Sequence, residues 1–316
     1  MRRFAEGPLR RRLGWGEGPI EVSVPGEGKR SLLFSLDPPG GRASILRLFE
    51  AAEPYRRYWR TLALAKAEGA PTPRLIDHGG GLWARWRLGG RYVLESRLPG
   101  RRPDAVGPTP ELRAAVGRAL ARLHAIERDH WGPVDRPAGP GFAETLQRQL
   151  DRRMRDLRTF PEAVEPAAVD RMESWFRKEL GALAPIRRFQ LCHLHLGKDD
   201  ILYDSRADAA AFIDCGGAAF HRAARDLAHF QPYEKGWIGD GTGLREFLSA
   251  YVAESPPERA QELQREGPLF EAWLLLNRLR ADLRAAARGK PLTWTGKKLL
   301  MRDRLLGLTG GLKPKG

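Results

Sequence analysis

The sequence predicts an α+β protein of two lobes, a small antiparallel five-stranded N-terminal lobe and a larger, mainly helical C-terminal lobe. Up to about residue 98, short apolar segments alternate with turns rich in glycine and proline, as they do in an antiparallel sheet. From Pro110 onward, apolar residues instead recur at helical spacing. The 316 residues are also enough for two lobes with cores of their own.

Three strands are predicted first, after a basic leader that ends near Pro19. Residues 20–24 alternate apolar and polar side chains as a strand does, the sequence at 25–28 is typical of a turn, and residues 31–36 are predicted to form a second strand. A second turn at 37–41 precedes a third strand at 43–49. Strands joined by tight turns pair with their neighbours, so these three are expected to form an antiparallel meander.

A helix and a hairpin complete the predicted N-terminal lobe. The helix covers residues 54–68, since proline is tolerated in the first helical turn, and Gly69 fits its C-terminal cap. Residues 82–88 and 91–98 are predicted to be strands, because Gly89-Gly90 between them is typical of a hairpin turn. The lobe boundary is expected at 98–100, which gives domains of residues 1–98 and 99–316.

The C-terminal lobe is predicted to be helical around a few short strands. Helices are expected near residues 110–126, 142–157, 168–183, 244–254, 269–288 and 299–306. Apolar segments at 189–191, 201–203 and 210–213 are expected to be strands, and they flank polar clusters. A sheet lobe followed by a helical lobe places a ligand cleft between the two.

The composition indicates a basic protein. The 54 Lys and Arg outnumber the 39 Asp and Glu, for a formal net charge of +15. Such a charge attracts nucleotide phosphates, nucleic acid or the anionic face of a membrane, without choosing among them. No recognised nucleic-acid-binding motif is present, and peripheral membrane contact stays open.

Two further features bear on location and on cysteine chemistry. No stretch approaches the ~20 uninterrupted apolar residues of a membrane-spanning helix, and the first residues lack the apolar segment of a secretion signal. The protein is therefore expected to be cytoplasmic. Its two cysteines, Cys192 and Cys215, form no Cys-x-x-Cys pair, and both are interpreted as small core residues.

The densest group of polar residues lies at 191–204. It contains His193 and His195 and an Asp-Asp pair that ends at Asp200, just before an apolar strand. About ten residues beyond this segment, Asp214 ends the next apolar strand, and an Asp-Leu-Ala step begins at Asp226.

This serial order resembles the aminoglycoside phosphotransferase and choline kinase family, whose catalytic loop reads His-Gly-Asp, four residues and Asn before an apolar strand. Residues 1–98 resemble the family's nucleotide-binding lobe, and residues 127–188 resemble its helical insertion. The resemblance implies a protein-kinase-like bilobal fold, ATP and Mg²⁺ as cofactors, and transfer of the ATP γ-phosphate to a hydroxyl of a small molecule or sugar. The basic composition suits an anionic acceptor. A weaker similarity to bacterial lipopolysaccharide core sugar kinases, at Pro71-Thr72-Pro73, adds that core to the acceptors considered.

Carried over residue by residue, the resemblance implies a catalytic loop at 191–204 and a metal site at 211–217. Asp214 takes the place of the principal metal-binding aspartate. Asp200 takes the place of the second metal ligand, normally asparagine, and oxygen ligation of Mg²⁺ survives that change. His195 takes the place of the catalytic aspartate; an imidazole can accept a proton near neutral pH but lacks the geometry and charge of a carboxylate.

The nucleotide-binding positions also depart from the family pattern. Arg47 stands for the strand-three lysine and keeps the positive charge, with a planar fork and a longer reach. Tyr58 or nearby arginines stand where the helix glutamate is expected, so the lysine–glutamate type of ion pair is predicted to be absent. Gly26 and Gly28 either let backbone N–H groups approach phosphates or form an ordinary hairpin. Glu95 is placed near the hinge, where backbone atoms would meet adenine.

Two other functions stay open at this stage. His193 and His195 with Asp199, Asp200 and Asp214 could form the transition-metal site of a hydrolase, since histidine and carboxylate suit several metals. A pseudokinase, meaning a binding or regulatory module that keeps the fold and transfers nothing, is favoured by the replaced base and the missing ion pair. The retained carboxylates favour the enzyme.

Several polar residues are interpreted as structural. His193 is expected to brace the loop as a core histidine, and Asp226 to be a buried acid that accepts hydrogen bonds from loop amides. The arginines of residues 148–158 are interpreted as a solvated helix face, with docking of an anionic substrate as the alternative.

Overall fold

A computed structural model describes residues 1, 4–24, 27–28, 31–139, 141–230, 238, 241–289 and 297–310. The N-terminal elements are a π-helical turn (Ala5–Leu9), α1 (Arg10–Leu13), β1 (Glu21–Ser23), β2 (Glu27–Gly28), β3 (Ser31–Asp37), β4 (Ser44–Phe49), α2 (Ala52–Ala67), β5 (Leu75–Gly79), α3 (Leu82–Leu88) and β6 (Arg91–Ser96). The C-terminal elements are α4 (Pro103–Val106), α5 (Pro110–His124), β7 (Glu127–Arg128), β8 (Gly132–Pro133), α6 (Phe142–Arg158), α7 (Pro166–Gly181), β9 (Phe189–Cys192), a 3₁₀ turn (Lys198–Asp200), β10 (Ile201–Asp204), β11 (Ala209–Phe212), a second 3₁₀ turn (Cys215–Gly217), β12 (Ala219–His221), α8 (Ala224–Leu227), α9 (Gly241–Ala253), α10 (Glu258–Ala286) and α11 (Lys297–Leu308). An antiparallel sheet followed by a mainly helical part confirms the predicted α+β class.

The N-terminal strands form one antiparallel sheet in the order β1-β3-β4-β6-β5, with the two-residue β2 also paired to β3. Alternate residues along β4 and β6 point to opposite faces. Leu46 and Leu94 pack against the N-terminal helical turns, whereas Phe49 and Val93 pack against α2. Helices therefore cover both faces of the sheet, and Arg47 lies on the α2 side.

The first residues of the chain belong to the core of the sheet lobe. Phe4 and Leu9 are buried, and the Phe4 ring lies edge-on to Tyr92 with 5.3 Å between centroids. Gly14, at φ +64°, ends α1 in the left-handed conformation that glycine adopts without strain. The basic leader predicted before Pro19 is thus in large part a packed helical segment.

The strand predicted at 82–88 is wrong, because these residues form the helix α3. Gly89 adopts φ +70° and ends that helix as a C-terminal cap, so it does not turn a hairpin. Ala84 packs into the core, while Leu82 and Trp86 are 84% and 75% exposed. Leu82 and Trp86 are four residues apart and so share the exposed face of the helix, whereas Ala84 lies on the buried face.

The strand that takes the place of residues 82–88 in the sheet is β5, which was not predicted. Its centre is polar, because Asp77 and His78 interrupt the apolar pattern. Asp77 accepts a hydrogen bond from the Tyr92 hydroxyl at 2.8 Å and pairs with Arg12 at 2.9 Å. His78 stacks on Trp59, with 4.3 Å between the rings. Partners from distant parts of the chain make these polar residues compatible with a strand.

Backbone contacts attach the sheet lobe, and the segment that directly follows it, to β10 and β11. Arg101 and Tyr203 exchange backbone hydrogen bonds of 2.9 Å. Gly100, at φ +111°, lies so close that a Cβ there would come within 2.7 Å of the Tyr203 carbonyl. Phe212 N donates to Pro71 O at 2.8 Å. These contacts hold the two strands that flank the polar cluster.

Close helix packing and one buried ion pair stabilise the helical part. A Cβ at Gly117 of α5 would lie 2.5 Å from the Phe247 carbonyl oxygen and 3.0 Å from Tyr251 N, both on α9. Glycine is therefore required for this approach of the two backbones. Arg222 donates to both carboxylate oxygens of Glu266, at 2.8 and 2.9 Å, and this bidentate pair ties α10 to the end of β12.

The helices and strands predicted for this part are confirmed, with shifted ends. The predicted strands correspond to β9, β10 and β11. The largest shift is in α10, which begins at Glu258 because the helix continues through Pro268. Proline removes one helical hydrogen bond, and for that reason it usually marks a helix boundary. No helix within the described residues is both long enough and apolar enough to cross a membrane.

We predict that Gly117→Ala destabilises the fold by about 1–3 kcal/mol, because the added methyl group forces α5 and α9 apart. Gly307→Ala is the matched control: nothing lies within 4 Å of a Cβ there, and removing a helical glycine stabilises by about 0.5–1 kcal/mol. Chemical denaturation of both variants measures the difference. Equal stabilities would show that α5 and α9 are not in close backbone contact.

Candidate active site

Charged residues from both parts of the chain meet on the α2 side of the sheet. Arg47 extends from β4, Glu95 from β6 and Tyr58 from α2. Ile213 follows the end of β11, and Asp214 comes next. Asp200 is the last residue of the 3₁₀ turn before β10. The sheet lobe thus supplies the cation, and the C-terminal part supplies the carboxylates of Asp200 and Asp214, of which Asp214 is exposed.

Arg47 is buried and contacts acids from both lobes. Its Nη2 lies 3.6 Å from Glu95 Oε1, and its Nη1 lies 3.3 Å from Asp214 Oδ1. Nη1 also donates to Ser31 Oγ at 3.2 Å, and the guanidinium lies 4.5 Å from the centre of the Tyr58 ring. Burial by itself lowers the pKa of Arg47, but Tyr58 and the two carboxylates raise it above the usual value. Arg47 therefore stays charged.

The predicted loss of the ion pair is wrong in one respect, because Glu95 supplies the carboxylate. Tyr58 does occupy the helix position, as predicted, and its hydroxyl donates to Glu95 Oε2 at 2.6 Å. Ile45 pairs with Glu95 and Arg47 pairs with Val93 across β4 and β6, so Arg47 and Glu95 are diagonal neighbours on one face. Burial raises the pKa of Glu95, and Arg47 and Tyr58 oppose that rise.

This position of the Glu95 side chain bears on its predicted role at the hinge. Its backbone is paired on both sides, with Ile45 of β4 and with Leu75 of β5. The side chain lies in the Arg47 network and is almost fully buried. Glu95 thus orients the cation, and adenine contact through its backbone stays a prediction.

The Asp200 and Asp214 segments are tied together through the backbone. Ile213 N donates to Asp200 O at 2.8 Å, and Gly197 N donates to Asp200 Oδ2 at 3.0 Å. Burial raises the pKa of Asp200, and the charges of Asp214 and Asp199 raise it further. Asp214 has φ +58° and a side chain that is 61% exposed. Two carboxylates that repel one another at one site form a place for a cation.

His195 is exposed on the loop, and its ring lies directly over Gly217. A Cβ at Gly217 would come within 2.7 Å of His195 Cδ2, and a Cβ at Gly216 would come within 3.2 Å of Tyr58 Cδ2. Neither glycine was predicted to be a site residue, although both lie in the predicted metal-site segment 211–217. The signal was their position just after Asp214, where side chains approach the backbone closely from two directions.

A buried carboxylate braces the loop before His195. His193 N and Leu194 N donate to the two oxygens of Asp226, at 2.6 and 2.7 Å. Leu194 adopts φ +68°, which is unusual for a residue other than glycine, and the Asp226 hydrogen bond holds it there. The His193 ring donates to Ile213 O at 2.9 Å through Nε2. The structural roles predicted for His193 and Asp226 are confirmed.

His124 completes this brace and was not singled out by the sequence analysis. Its Nε2 donates to Asp226 Oδ2 at 3.2 Å, and its Nδ1 accepts from the Tyr251 hydroxyl at 2.8 Å. Burial lowers the pKa of His124, so the ring is neutral near pH 7. Burial alone raises the pKa of Asp226, but the bond from His124 and nearby positive charges lower it to about 2. Asp226 is thus an ionised carboxylate in the core.

The geometry does not favour the transition-metal site considered for residues 193–214. His193 directs Nε2 to a backbone carbonyl, and Asp199 is an exposed residue that pairs with Arg102 at 3.7 Å. Within the described residues, the group with three ligand atoms close together is His124, Cys192 and Asp226. The hydrogen bonds of the brace already occupy that group.

The predicted phosphate loop is only partly described. Gly26 lies outside the described residues. Gly28 belongs to β2 and pairs with Ser31, which is the ordinary hairpin that the sequence also allowed. Phosphate binding by these glycines stays a prediction.

Two cavities lie away from the charged cluster. One, of about 400 Å³, is beside Trp131 and Phe142, and another, of about 260 Å³, is beside Leu227 and Leu263. No residue of the Arg47 network lines either cavity. The first cavity is lined in part by Asp129, His130 and Glu144, but neither cavity includes a residue of 191–204 or 211–217.

Comparison with known proteins identifies a family to which the chain is similar. A family model described as the phosphotransferase enzyme family matches residues 26–263, well over half of the chain. No curated protein matches.

Several solved structures share the fold. One is a thermostable mutant of aminoglycoside phosphotransferase APH(4)-Ia in complex with ADP and hygromycin B, with a TM-score of 0.63, 17% identity and coverage of 99% of each chain. A candidate fructosamine-3-kinase from Thermobifida fusca has a TM-score of 0.58, 18% identity and coverage of 97% of this chain and 98% of its own. Plasmodium vivax ethanolamine kinase has a TM-score of 0.55, 15% identity and coverage of 92% and 82%. At these identities, the matches show a common protein-kinase-like fold.

We predict that Asp226→Asn lowers the free energy of unfolding by about 2 kcal/mol at pH 5, because the amide presents N–H groups to N–H donors. The pKa of Asp226 is lowered from 3.8 to about 2 in the folded state. The stability that ionised Asp226 contributes is therefore fully present at pH values above 3.8, the ordinary pKa of the unfolded state, and is lost as pH falls through the folded-state pKa of about 2. Denaturation at pH 5 and pH 2.5 should give a difference between wild type and variant that shrinks at the lower pH.

The matched control is Asp170→Asn, which changes an exposed carboxylate of α7. Its effect on stability should be small at both pH values. A difference between wild type and Asp226→Asn that does not change with pH would contradict a buried, ionised Asp226.

Proposed function

The chain belongs to the phosphotransferase enzyme family, and on that premise we propose that it transfers the γ-phosphate of ATP to a hydroxyl group of a small molecule or sugar. The observation that carries the proposal is the meeting of Arg47, from the sheet, with Asp214, from the end of β11. Phosphoryl transfer requires a cation at the phosphates, carboxylates that hold a metal ion, and a group that orients the acceptor hydroxyl. Each requirement has a residue here.

The carboxylates fit Mg²⁺. Asp200 and Asp214 offer oxygen ligands, which this ion prefers, and Asp214 is solvent-exposed. The mutual repulsion that helps to raise the pKa of Asp200 would be relieved by a bound cation. Mg²⁺ held there would neutralise charge on the transferred phosphoryl group.

Arg47 fits the nucleotide phosphates. Glu95 and Tyr58 hold its guanidinium on the sheet face, so the side chain is ordered before a nucleotide binds. Its Nε is a buried donor without a hydrogen-bond partner in the part of the chain that the structure describes. A planar guanidinium can contact phosphate oxygens at two points. In the proposed complex, Arg47 would exchange its contact with Asp214 for a phosphate.

His195 is proposed to orient the acceptor hydroxyl and to accept its proton. The ring is exposed, as a residue that contacts substrate has to be. The acceptor oxygen forms a bond to the γ-phosphorus, the bond from that phosphorus to the ADP oxygen breaks, and the hydroxyl proton passes to the imidazole. Residues 1–98 would form the nucleotide lobe, and residues 99–316 would supply the acceptor site.

A second function is favoured by one observation. His195 stands where the family has an aspartate, so the protein could bind nucleotide and transfer nothing. In that case the Arg47 and Asp214 contacts would still serve binding, and the chain would act as a regulatory module. The anionic charge expected of the acceptor and the similarity to lipopolysaccharide core sugar kinases belong to the enzyme proposal only.

The proposal is tested by ADP release from ATP and Mg²⁺ with a panel of hydroxyl acceptors. Asp214→Ala should abolish turnover without unfolding the protein, because it removes a metal ligand. Asp170→Ala, at an exposed helix position, should leave turnover unchanged. Turnover that survives Asp214→Ala would sink the metal assignment.

In the same assay, His195→Ala should lower kcat by about 10²–10⁴, the range of general acid–base catalysis. The Kd of the nucleotide should change little, because Arg47, the residue proposed to bind the phosphates, is held in place by Glu95, which Tyr58 orients. Equal losses in kcat and in nucleotide binding would contradict the proton-accepting role. Nucleotide binding without turnover in the wild type would support the regulatory module.

A further inference from the structure

The helix α3 presents large apolar side chains to solvent. Leu82 is 84% exposed and Trp86 is 75% exposed, the two highest values among the large apolar residues that the structure describes. The helix is anchored from its other side, where Ala84 and Leu88 pack in the core that also holds Phe4. Neighbouring exposed apolar side chains mark an interaction surface more often than scattered ones do.

Positive charge accompanies these side chains. Arg85 is exposed and lies three residues beyond Leu82, a spacing that puts both side chains on one side of the helix. From residue 79 to residue 94 the charged residues are all arginines, at positions 85, 87 and 91. The acids that bound this stretch, Asp77 and Glu95, are buried. The exposed face of α3 is therefore basic as well as apolar.

A second basic element covers the same face of the sheet. Leu13 at the end of α1 packs against the core that holds Ala84, and Arg11 and Arg12 of α1 are exposed. Arg12 pairs with Asp77 at 2.9 Å, and 62% of its side chain is still exposed. The helix α1 thus adds positive charge to the side of the lobe on which α3 lies.

The surroundings of α3 are open. Gly81 and Gly89 bound the helix, and no atom of the described residues lies within 4 Å of a Cβ built at either position. The helix packs on the sheet face opposite to that of Arg47, because Phe49 and Val93 belong to the separate core beside α2. A body that contacts α3 can therefore leave the charged cluster around Arg47 uncovered.

We propose that α3 and α1 form a docking surface for an anionic lipid bilayer, with Leu82 and Trp86 in the interface between headgroups and acyl chains. Tryptophan and leucine favour that region, and the arginines beside them are attracted by lipid phosphates. Of the anionic partners that the net charge allows, the membrane surface is the one that also takes up apolar side chains. The inference does not depend on the proposed function, since it concerns the other face of the sheet.

A second copy of the chain fits this surface less well. Two copies docked through their own α3 helices would bring patches that carry arginines together, and like charges repel. Contact with a bilayer would be peripheral, because α3 has seven residues and no described helix is long and apolar enough to cross a membrane. Such contact is reversible and is weakened by salt.

The test is co-sedimentation of the protein with vesicles. Vesicles of phosphatidylcholine and phosphatidylglycerol in equal parts supply negative charge, and vesicles of phosphatidylcholine alone are the neutral reference. The protein should bind the mixed vesicles and should bind the neutral ones about tenfold more weakly, because the arginines then lose their partners. Added salt should release it from the mixed vesicles.

Three variants test the residues of α3. Leu82→Ser and Trp86→Ser should each weaken binding to the mixed vesicles by about tenfold, because each removes a large apolar group from the contact. Arg85→Gln should weaken it by about fivefold, the effect of one basic charge near an anionic surface. The matched control is Leu300→Ser, at a leucine of α11 that is 63% exposed, and it should bind as the wild type does. All four variants should have similar Tm values, because the replaced side chains lie at the surface.

The proposal is overturned if the wild type binds the mixed vesicles no more tightly than the neutral ones. It is also overturned if the three variants of α3 bind as Leu300→Ser does. Self-association that Trp86→Ser abolishes, without vesicle binding, would assign the surface to a second copy instead. ADP release measured without vesicles should be the same in all four variants, so the failure of this proposal and the failure of the proposed function can be told apart.

Discussion

A single buried carboxylate fixes the loop from which the proposed chemistry would take place. Asp226 is fully buried and ionised, so donors have to surround it. Those donors are the His124 ring and the amides of His193 and Leu194. Because they precede His195 directly, the position of His195 follows from the burial of Asp226.

The sheet keeps a buried ion pair between a cation and a carboxylate, although the residues that form this pair differ from the family pattern. A buried arginine needs a nearby carboxylate, because an isolated charge in the core is strongly unfavourable. Glu95 meets that need from β6, where the strand register makes it a diagonal neighbour of Arg47. Tyr58 fills the vacated helix position and bonds to Glu95. The cation therefore stays on the sheet face and reaches Asp214.

Local sequence patterns predicted most of the fold, and the predictions that were wrong failed for physical reasons. Apolar periodicity predicted the C-terminal helices and the strands around residues 191–213. It failed for β5, whose Asp77 and His78 find partners only in the folded chain, and for α3, where glycines capped a helix. For the site, the serial order of the motifs along the chain predicted that Arg47, Asp200 and Asp214 belong to one site. Neither the carboxylate of Glu95 nor the approach of His195 to Gly217 could be predicted, because both depend on contacts between distant segments.

The measurement that tests the central claim most directly is isothermal titration of the protein with ATP, with and without Mg²⁺, repeated on Asp214→Ala. If Arg47 and Asp214 form a phosphate and metal site, ATP should bind more tightly with Mg²⁺, and that gain should disappear in the variant. Binding in neither condition, or a Mg²⁺ effect that survives the loss of Asp214, would contradict the account.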